Sequence, residues 1–242
     1  MRDYKVEFEN RVAFIRTILE ESGAKGIVYG NSGGKDSALV GILCKAACSN
    51  TVGIIMPCAS QRNYDMDAAD GLTVAKKFDI ETRTVDLSPV RQAVLEQLAP
   101  AVTVNNAALI NIAPRLRMTT LYAVAASEGR LVAGTGNRSE AYVGYFTKWG
   151  DGAYDLNPIA DLTVTEIYEF LRYLEAPACV LEKAPSAGLF DGQTDEKEMG
   201  FTYRELDSFL FGETVSDSTR AVIDRMHKNS EHKRVPVKNY GG

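Results

Sequence analysis

The order of apolar and polar positions along the chain predicts alternating strands and helices. Apolar residues recur at near-heptad spacing from Phe8 to Leu19, which predicts an opening helix that ends at Ser22 and Gly23. Short runs rich in β-branched and aliphatic residues predict strands at 26–29, 52–56, 82–87 and 131–133. Helical patterns cover 37–47, 65–78, 111–128, 163–174, 203–211 and 217–229.

A further helix is predicted after Ser88 and Pro89, which are typical of the N-cap and of the first helical position. Strands that alternate with helices predict an α/β fold, a doubly wound parallel sheet with flanking helices. No linker is visible, so we treat residues 1–242 as a single domain.

The second half of the chain departs from this alternation. Residues 144–157 are rich in glycine and aromatic residues, and residues 182–200 form a polar stretch that is too long for a plain connection. We interpret 190–200 as a lid that orders over a bound ligand. The stretch E-H-K-R from Glu231 is, by itself, typical of a solvated chain end.

Composition narrows the class of protein. A hydrophobic content of 45% with 24% charged residues is ordinary for a soluble enzyme, and a net charge of -5 argues against a nucleic acid as the main partner. The sequence shows no leader-type apolar core and no run of membrane-spanning length. We therefore expect a cytoplasmic protein with no nucleic-acid or membrane partner.

Cysteine and histidine usage argues against a transition-metal site. The four cysteines, at 44, 48, 58 and 179, include no C-x-x-C pair and are predicted to be buried free thiols. His227 and His232 are not spaced for zinc. Any bound metal should be a hard cation held by carboxylates and phosphates.

The strongest chemical signal is the stretch from Ile27 to Ser37, IVYGNSGGKDS. It runs from an apolar strand into the start of a helix, where free backbone N–H groups and the helix dipole favour an anion. Glycines let phosphate oxygens approach the main chain, and serines offer hydroxyl donors. A plain glycine turn is the alternative. The predicted phosphate site comprises Gly30, Ser32, Gly33, Gly34, Lys35, Asp36 and Ser37.

This loop matches neither the P-loop kinase pattern nor the Rossmann dinucleotide pattern. The run S-G-G-K-D-S, Ser32 to Ser37, instead resembles the pyrophosphate-binding loop of the ATP pyrophosphatases. Members of that superfamily have a Rossmann-like, adenine nucleotide alpha hydrolase-like fold; they adenylylate a substrate and release pyrophosphate. The resemblance implies ATP as co-substrate and a part for Asp36 in binding Mg²⁺.

Four more motifs decide which member of the superfamily the chain resembles. They are A-G-T-G-N-R-S-E from Ala133, the glycine- and aromatic-rich run from Gly144, K-A-P-S-A-G-L from Lys183 and D-G-Q-T-D-E from Asp191. In this order, and over most of the chain, they resemble the NAD synthetase family. The resemblance implies a ligase that forms a C–N bond: deamido-NAD is adenylylated by ATP, and ammonia then displaces AMP to give NAD.

The family resemblance implies roles for individual residues. Asp36 and Glu140 are the implied magnesium ligands and, with Lys148, the implied catalytic residues, although Glu140 alone would be typical of an exposed acid in the first turn of a helix. Thr135 and Ser186 are the implied further ATP contacts. The implied contacts of deamido-NAD are Arg115, Lys148, Asp155, His232 and Lys233.

Three positions leave alternatives open. Val164 stands where many relatives have a lysine that contacts ATP, so a neighbouring basic residue substitutes, the contact is lost, or the alignment is shifted by a turn. Pro114 replaces a small residue and predicts a kink or a helix start near Arg115. Arg117 is either a second substrate contact or part of a surface salt bridge.

The resemblance also bears on the nitrogen source and the oligomeric state. It leaves no room for a glutaminase domain, which predicts free ammonia as donor unless a separate amidotransferase docks. The family's homodimer, with deamido-NAD bound across the interface, implies a homodimer here. Four aromatic residues either line that interface or belong to the core: Tyr142, Tyr145, Phe146 and Trp149.

Two other functions compete with this interpretation. The first is another ATP pyrophosphatase, such as a GMP synthetase core or a tRNA-thiolating enzyme; the latter usually needs a basic surface or a reactive cysteine pair, and neither is visible. The second is a nucleotide-binding module that has lost the reaction. Val164 favours the module, whereas Asp36, Glu140 and Arg115 argue against it.

Overall fold

The computed structural model describes residues 2–58, 61–183 and 195–240. Its sheet has four parallel strands in these residues, in the order β3-β2-β1-β4. The strands are β1 (Gly26–Gly30), β2 (Thr51–Ile55), β3 (Glu81–Thr84) and β4 (Arg130–Ala133). The predicted α/β class with a parallel sheet is confirmed.

Twelve helices accompany the sheet in the part of the chain that the structure describes. They are α1 (Tyr4–Ser22), α2 (Lys35–Ala47), α3 (Gln61–Lys77), α4 (Ser88–Leu98), α5 (Asn106–Glu128), α6 (Arg138–Val143), α7 (Val164–Tyr173), α8 (Ala178–Leu181), α9 (Asp195–Met199), α10 (Tyr203–Leu210), α11 (Asp217–Asn229) and α12 (Glu231–Arg234).

Both faces of the sheet are covered, because successive side chains of a strand point to opposite faces. Ile27 and Tyr29 of β1 pack into a core with residues of α1, α2, α3 and α7. Val28, between them, packs into a second core with β2, β4 and residues of α5. A third core, around Leu206 and Ile223, joins α6, α7, α9, α10 and α11.

Local signals set the ends of α1. Asp3 accepts hydrogen bonds from the N–H groups of Lys5 and Val6, which have no partner inside the helix. Gly23 ends the helix in the left-handed conformation, at φ 66°, and its N–H donates to the carbonyl of Leu19. The prediction that this helix ends at Ser22 and Gly23 is confirmed.

Some predicted helix starts are wrong. The helix predicted at 65–78 is α3, which begins at Gln61. Ser88 is the first residue of α4 rather than its N-cap, and its N–H donates to Asp86 at 2.9 Å. The helix predicted at 111–128 begins at Asn106, because Asn105 caps the N–H of Ala108. Pro114 therefore lies inside α5 instead of starting it.

The predicted strand at 82–87 is shorter, although hydrogen bonds continue past its end. Regular strand geometry stops at Thr84, yet the N–H groups of Val85 and Leu87 still donate to the carbonyls of Ile55 and Pro57 at 2.9 and 2.8 Å. The chain end that was predicted to be solvated is also ordered in part, since Glu231–Arg234 forms α12.

Other predictions concern the cysteines and the polar stretch. All four cysteines are free, as predicted, and those at 44 and 58 are buried. The predicted burial is wrong for Cys48 and Cys179, which are half-buried. Within the predicted polar stretch 182–200, residues 195–199 form α9, and residues 184–194 lie outside the described ranges. None of the described helices has both the length and the apolar character that a membrane crossing requires.

Candidate active site

The candidate site lies where the direction of the sheet's winding reverses. From β1 the chain moves to β2 and β3 on one side, and it then returns to place β4 on the other side of β1. In such sheets ligands bind outside the carboxyl ends of the strands at this switch point. The loops that follow β1 and β4 meet there, over a cavity of about 690 Å³.

Most of the residues predicted to bind ATP line this cavity. Thr135 and Glu140, which follow β4, line it too, and so does Lys233 from α12. Ser186 lies outside the described residues. The lining residues of the loop after β1 are Gly30, Ser32, Gly34, Lys35, Asp36 and Ser37.

The remaining loop glycine, Gly33, packs against α3. Its φ is +71°, and a Cβ at this position would lie 2.0 Å from the carbonyl oxygen of Asp67. Both the conformation and the close approach therefore require glycine. The loop then enters α2 with extended backbone at Gly34, and the hydroxyls of Ser32 and Ser37 lie 3.1 Å apart beside the helix start.

Asn31 anchors the loop and was not predicted. This buried side chain donates to the carbonyl of Gly71 in α3 at 3.2 Å and accepts from the N–H of Gly33 at 3.3 Å. Gly71 leaves room for it, since a Cβ there would lie 2.7 Å from Asn31 Oδ1. The glycine loop is thus fixed from α3 as well as from β1.

A second asparagine, Asn137, holds the two predicted magnesium carboxylates together. Its Nδ2 donates to Asp36 Oδ1 at 3.0 Å, and its Oδ1 accepts from the N–H of Glu140 at 2.9 Å. Glu140 in turn accepts from the N–H of Asn137 at 3.2 Å, which completes a capping box at the start of α6. One fully buried amide therefore positions both acids.

The ammonium of Lys35 lies between these carboxylates. Its Nζ is 2.7 Å from Asp36 Oδ2 and 3.9 Å from Glu140 Oε1, and it lies 5.4 Å from the ring centroid of Tyr203. Only 6% of the side chain is exposed. Burial by itself would lower the pKa of Lys35, but the two carboxylates outweigh it and raise that pKa above its usual value.

The same surroundings favour the charged form of Lys35 but the neutral form of Glu140. Removal from water, and next the charge of Asp36, raise the pKa of Glu140 to about 8, while Lys35 acts to lower it. One ammonium compensates only one of these two acids, so the neutral form of Glu140 is favoured near neutral pH. An additional cation would stabilise the pair.

The donors present fit Mg²⁺. Asp36 Oδ2 and Glu140 Oε1 both face the lysine ammonium, at 2.7 and 3.9 Å, so the two acids face a common position. Mg²⁺ is usually held by one or two carboxylates together with substrate phosphates and water, rather than by a cage of protein ligands. The described residues accordingly contain no group of three or more His, Cys, Asp or Glu that would hold a metal by itself.

Arg117 faces the same cavity. Its Nε donates to the carbonyl of Met56 at 3.2 Å, and among the described residues it forms no ion pair. Of the two predicted roles of Arg117, the surface salt bridge is therefore absent among the described residues. Burial is the main cause that lowers the pKa of Arg117. A guanidinium held in a cavity wall without a carboxylate is suited to bind an anionic ligand.

Three of the predicted deamido-NAD contacts lie together outside the cavity lining. Arg115 donates to the carbonyl of Lys148 at 3.4 Å, and Lys148 Nζ donates to the carbonyl of His232. Lys148 Nζ also lies 5.4 Å from the ring centroid of Trp149. The fourth, Lys233, faces the cavity and donates to two backbone carbonyls, at 2.7 and 2.6 Å.

Asp155, the fifth predicted contact, also has a structural role. Its Oδ2 accepts from the N–H of Val132 at 2.7 Å and its Oδ1 from the hydroxyl of Tyr122 at 3.1 Å. The carboxylate thereby extends the hydrogen bonding of β4. Its predicted contact with substrate stays a prediction, as do the roles of the other site residues.

Val164 cannot contact a phosphate with its side chain. It is buried in the third core, at the first position of α7, and its N–H donates to the hydroxyl of Ser139 at 3.2 Å. Basic side chains do line the cavity elsewhere, among them Lys35 and Lys183. Lys183 was not predicted as a site residue; it pairs with Asp67 and Asp70 of α3 at 2.6 and 2.7 Å.

Of the residues that sequence reasoning missed, Asn137 had a readable signal. An asparagine three positions before a glutamate is a capping-box pattern, and it places both side chains at a helix start. The contacts of Asn31 and Lys183 with α3 had no such signal, because nothing in the sequence states which elements adjoin.

Comparisons with known proteins agree with this geometry. The model of the NAD synthase family matches residues 7–237. An NH(3)-dependent NAD(+) synthetase of Carboxydothermus hydrogenoformans is 45% identical over 97% of each chain. The structure of an NMN synthetase from Francisella tularensis matches with a TM-score of 0.91 at 35% identity, covering all of both chains. An NH3-dependent NAD synthetase from Campylobacter jejuni matches with a TM-score of 0.82 at 27% identity, covering 99% of this chain and all of that one.

The sheet order and the glycine loop at the switch point define a Rossmann-like nucleotide-binding protein of the PP-loop class. Within that class the chain belongs to the NAD synthase family. It is therefore an enzyme of the ligase class that uses ATP as co-substrate. The family resemblance seen in the sequence is confirmed.

Proposed function

We propose that this protein is an ammonia-dependent NAD synthetase that converts deamido-NAD, ATP and ammonia into NAD, AMP and pyrophosphate. The observation that carries the proposal is the carboxylate pair Asp36 and Glu140, held by Asn137 beside the glycine loop at the switch point. Membership of the NAD synthase family supports the choice of reaction.

The first half-reaction activates an unreactive acid. A carboxylate oxygen of the pyridine ring attacks the α-phosphorus of ATP, the bond to the β-phosphate oxygen breaks, and pyrophosphate leaves. We assign the leaving pyrophosphate to the backbone N–H groups at the start of α2, Lys35–Ala47, where the helix dipole favours negative charge. Lys35 and Arg117 supply positive charge in the cavity wall.

Asp36 and Glu140 would hold the magnesium ion, with nucleotide phosphates as its other ligands. When bound, Mg²⁺ supplies charge stabilisation to the phosphate oxygens as the bonds change. The protein's own contribution is to fix the two carboxylates, through the amide of Asn137, before the nucleotide arrives.

The second half-reaction needs ammonia and the exclusion of water. Ammonia attacks the carbonyl carbon of the acyl adenylate, the bond to the AMP oxygen breaks, and the nitrogen loses a proton to leave the amide. We propose the segment 190–200 as the lid that shields the intermediate. Within its described part, Asp195 and Glu198 of α9 line the cavity, and Met199 packs into the third core. Limited proteolysis checks the lid: we expect ATP with deamido-NAD to protect 190–200, and equal cleavage with and without them would contradict it.

The function is tested with purified protein, Mg²⁺, ATP and deamido-NAD, adding ammonium or glutamine in separate reactions. NAD is read with a dehydrogenase and pyrophosphate in parallel. We expect NAD with ammonium and none with glutamine. Pyrophosphate without NAD would confine the activity to adenylylation. If neither NAD nor pyrophosphate forms, the proposal is wrong.

The similarity to an NMN synthetase favours a second candidate substrate. The deamido mononucleotide carries the same pyridine carboxylate as deamido-NAD, so the same two steps would amidate it. Measuring kcat/KM for both substrates under one set of conditions decides between them. The dinucleotide is our first choice because relatives that are 45% and 44% identical to this chain carry the name NH(3)-dependent NAD(+) synthetase.

We further propose that the protein is a cytoplasmic homodimer that joins through the surface of α5. Only Ala113 and Ala125 of this long helix are buried. Ile110, of the same helix, is exposed, and so is Trp149. Tyr142, in contrast, packs against His227 in the third core, so core packing accounts for it. Light scattering after gel filtration should give the mass of a dimer. A monomer at micromolar concentration would contradict this assembly.

A further inference from the structure

Lys35 occupies an unusual position for a lysine. Its ammonium is almost fully enclosed, and it contacts the same two carboxylates that would hold a metal. A buried charge is tolerated when oppositely charged groups compensate it. Here the compensating groups belong to the proposed catalytic machinery rather than to a structural ion pair.

The oxygen atoms show that the lysine and a metal would need the same place. Asp36 Oδ1 accepts from Asn137, and Asp36 Oδ2 accepts from Lys35 at 2.7 Å. Glu140 Oε2 accepts from the N–H of Asn137, which leaves Oε1, 3.9 Å from the ammonium, as its other oxygen. The carboxylate oxygens that do not bond Asn137 are therefore those nearest Lys35.

We propose that Lys35 is a built-in counter-ion that competes with the metal for the Asp36 and Glu140 pair. The ammonium keeps the two carboxylates close together without a metal, and a dication binds only when the ammonium gives up its contact with Asp36. The inference rests on the proposed metal site. It makes Lys35 a positioning residue that sets the metal affinity of the nucleotide-free protein.

The released ammonium has a defined neighbourhood. Lys35 is the first residue of α2, so its side chain starts beside the N–H groups that are proposed to face the pyrophosphate. Phosphate oxygens of a bound nucleotide would give the ammonium new anionic partners at the step in which the metal takes its old ones. Metal and nucleotide should therefore bind cooperatively in the wild type.

A purely structural role would predict something different. If Lys35 only stabilises the fold, then removing its charge lowers the thermal stability and leaves metal binding unchanged or weaker. If it competes with the metal, then removing its charge strengthens metal binding, because an ammonium and a dication held by the same two carboxylates repel each other. The sign of the change in metal affinity separates the two.

The experiment measures the dissociation constant of Mn²⁺, as a paramagnetic substitute for Mg²⁺, by EPR on the full-length protein without nucleotide. The variants are Lys35→Gln, which removes the charge, and Lys35→Arg, which keeps it. Lys45→Gln is the matched control, since Lys45 lies on the same helix and pairs with the exposed Asp79. Circular dichroism checks folding, and Lys35→Met replaces the glutamine variant if that variant does not fold.

We expect Lys35→Gln to bind Mn²⁺ at least about tenfold more tightly than the wild type. The Mn²⁺ affinities of Lys35→Arg and Lys45→Gln should be close to that of the wild type. Equal or weaker binding by Lys35→Gln, or no binding by any form, overturns the inference. The NAD assay separates the two proposals. If the protein forms NAD but Lys35→Gln binds Mn²⁺ no more tightly than the wild type, only the inference about Lys35 is wrong. If Lys35→Gln binds Mn²⁺ more tightly but the protein forms no NAD, only the proposed function is wrong.

Discussion

Two clusters of charged residues in this protein are built from similar groups and differ in how their charges are matched. At the junction of α1 with the start of α7, Arg2 and Arg11 contact Glu7, Asp161 and Glu166 over distances of 2.6–3.1 Å. Arg11 also donates to the carbonyl of Pro158. Each carboxylate there forms an ion pair with a guanidinium within 3.1 Å, although Arg11 Nε itself is buried without a hydrogen-bond partner among the described residues.

The cluster at the switch point is not matched in this way. Asp36 and Glu140 share the single ammonium of Lys35. Arg117, which lines the same cavity, has no carboxylate partner among the described residues. Charges that satisfy one another hold elements together, whereas charges left under-compensated in a cavity wall favour a charged ligand. The difference lies in how close the ion pairs are and where they lie: every junction carboxylate has a guanidinium within 3.1 Å, whereas Glu140, in the cavity wall, has its ammonium partner at 3.9 Å.

The largest effect should come from removing one carboxylate of the unmatched cluster. Asp36→Asn keeps the shape of the side chain and removes the charge that the proposed metal needs, so NAD formation should fall at least about 1,000-fold. The thermal midpoint should change by only a few degrees. Asp161→Asn in the junction cluster is the matched control, and an equal loss of activity in it would erase the distinction between the clusters.

A smaller effect is expected from the unpaired guanidinium. Arg117→Ala should lower kcat/KM about 100-fold, because a charge-assisted hydrogen bond to an anionic ligand contributes about 1.5–3 kcal/mol. Arg117→Lys should recover part of the loss. The control is Arg204→Ala, at an exposed position outside the cavity lining. Normal kinetics in Arg117→Ala would remove this residue from the site.

The smallest effect should appear in the junction cluster, and in stability rather than activity. Partial burial would raise the pKa of Asp161, but hydrogen bonds and charge from Arg11 hold that pKa below its usual value. A carboxyl group whose pKa is lower in the folded state than in the unfolded state stabilises the fold at any pH above its unfolded-state pKa. This contribution is lost as the pH falls through its folded-state pKa. Asp161→Asn should therefore cost about 1 kcal/mol at pH 7, a figure kept small because the side chain is 55% exposed.

Urea unfolding at pH 7 and near pH 3 tests that expectation. The difference between wild type and Asp161→Asn should shrink at the lower pH, and the activity per folded molecule should stay unchanged. A difference that grows on acidification would have the wrong sign for a salt-bridged carboxylate.

The sequence predicted those features that depend on neighbouring residues in the chain. The order of elements follows from local periodicity, and the glycine loop follows from residues that are adjacent from Gly30 to Ser37. The approach of Glu140 to Asp36 was also within reach, because parallel strands bring the residues after their ends to one edge.

What could not be predicted depends on packing between distant segments. The bond of Asn31 to Gly71 and the bond of Arg117 to Met56 join elements whose contact no local pattern states. Lys233 was predicted only through the family resemblance, because its approach to the cavity depends on the packing of α12 beside Gly144 and Phe146. The interior position of Pro114 was missed because the cap at Asn105 decides where α5 starts.

Trp149 gives this protein an intrinsic fluorescent reporter. It is the single tryptophan of the chain, and it is 56% exposed, with the Lys148 ammonium over its ring. Because Lys148 also contacts His232, the emission originates beside the proposed substrate-contact surface and the proposed interface of α5. Its spectrum therefore follows that one face of the molecule without any attached dye.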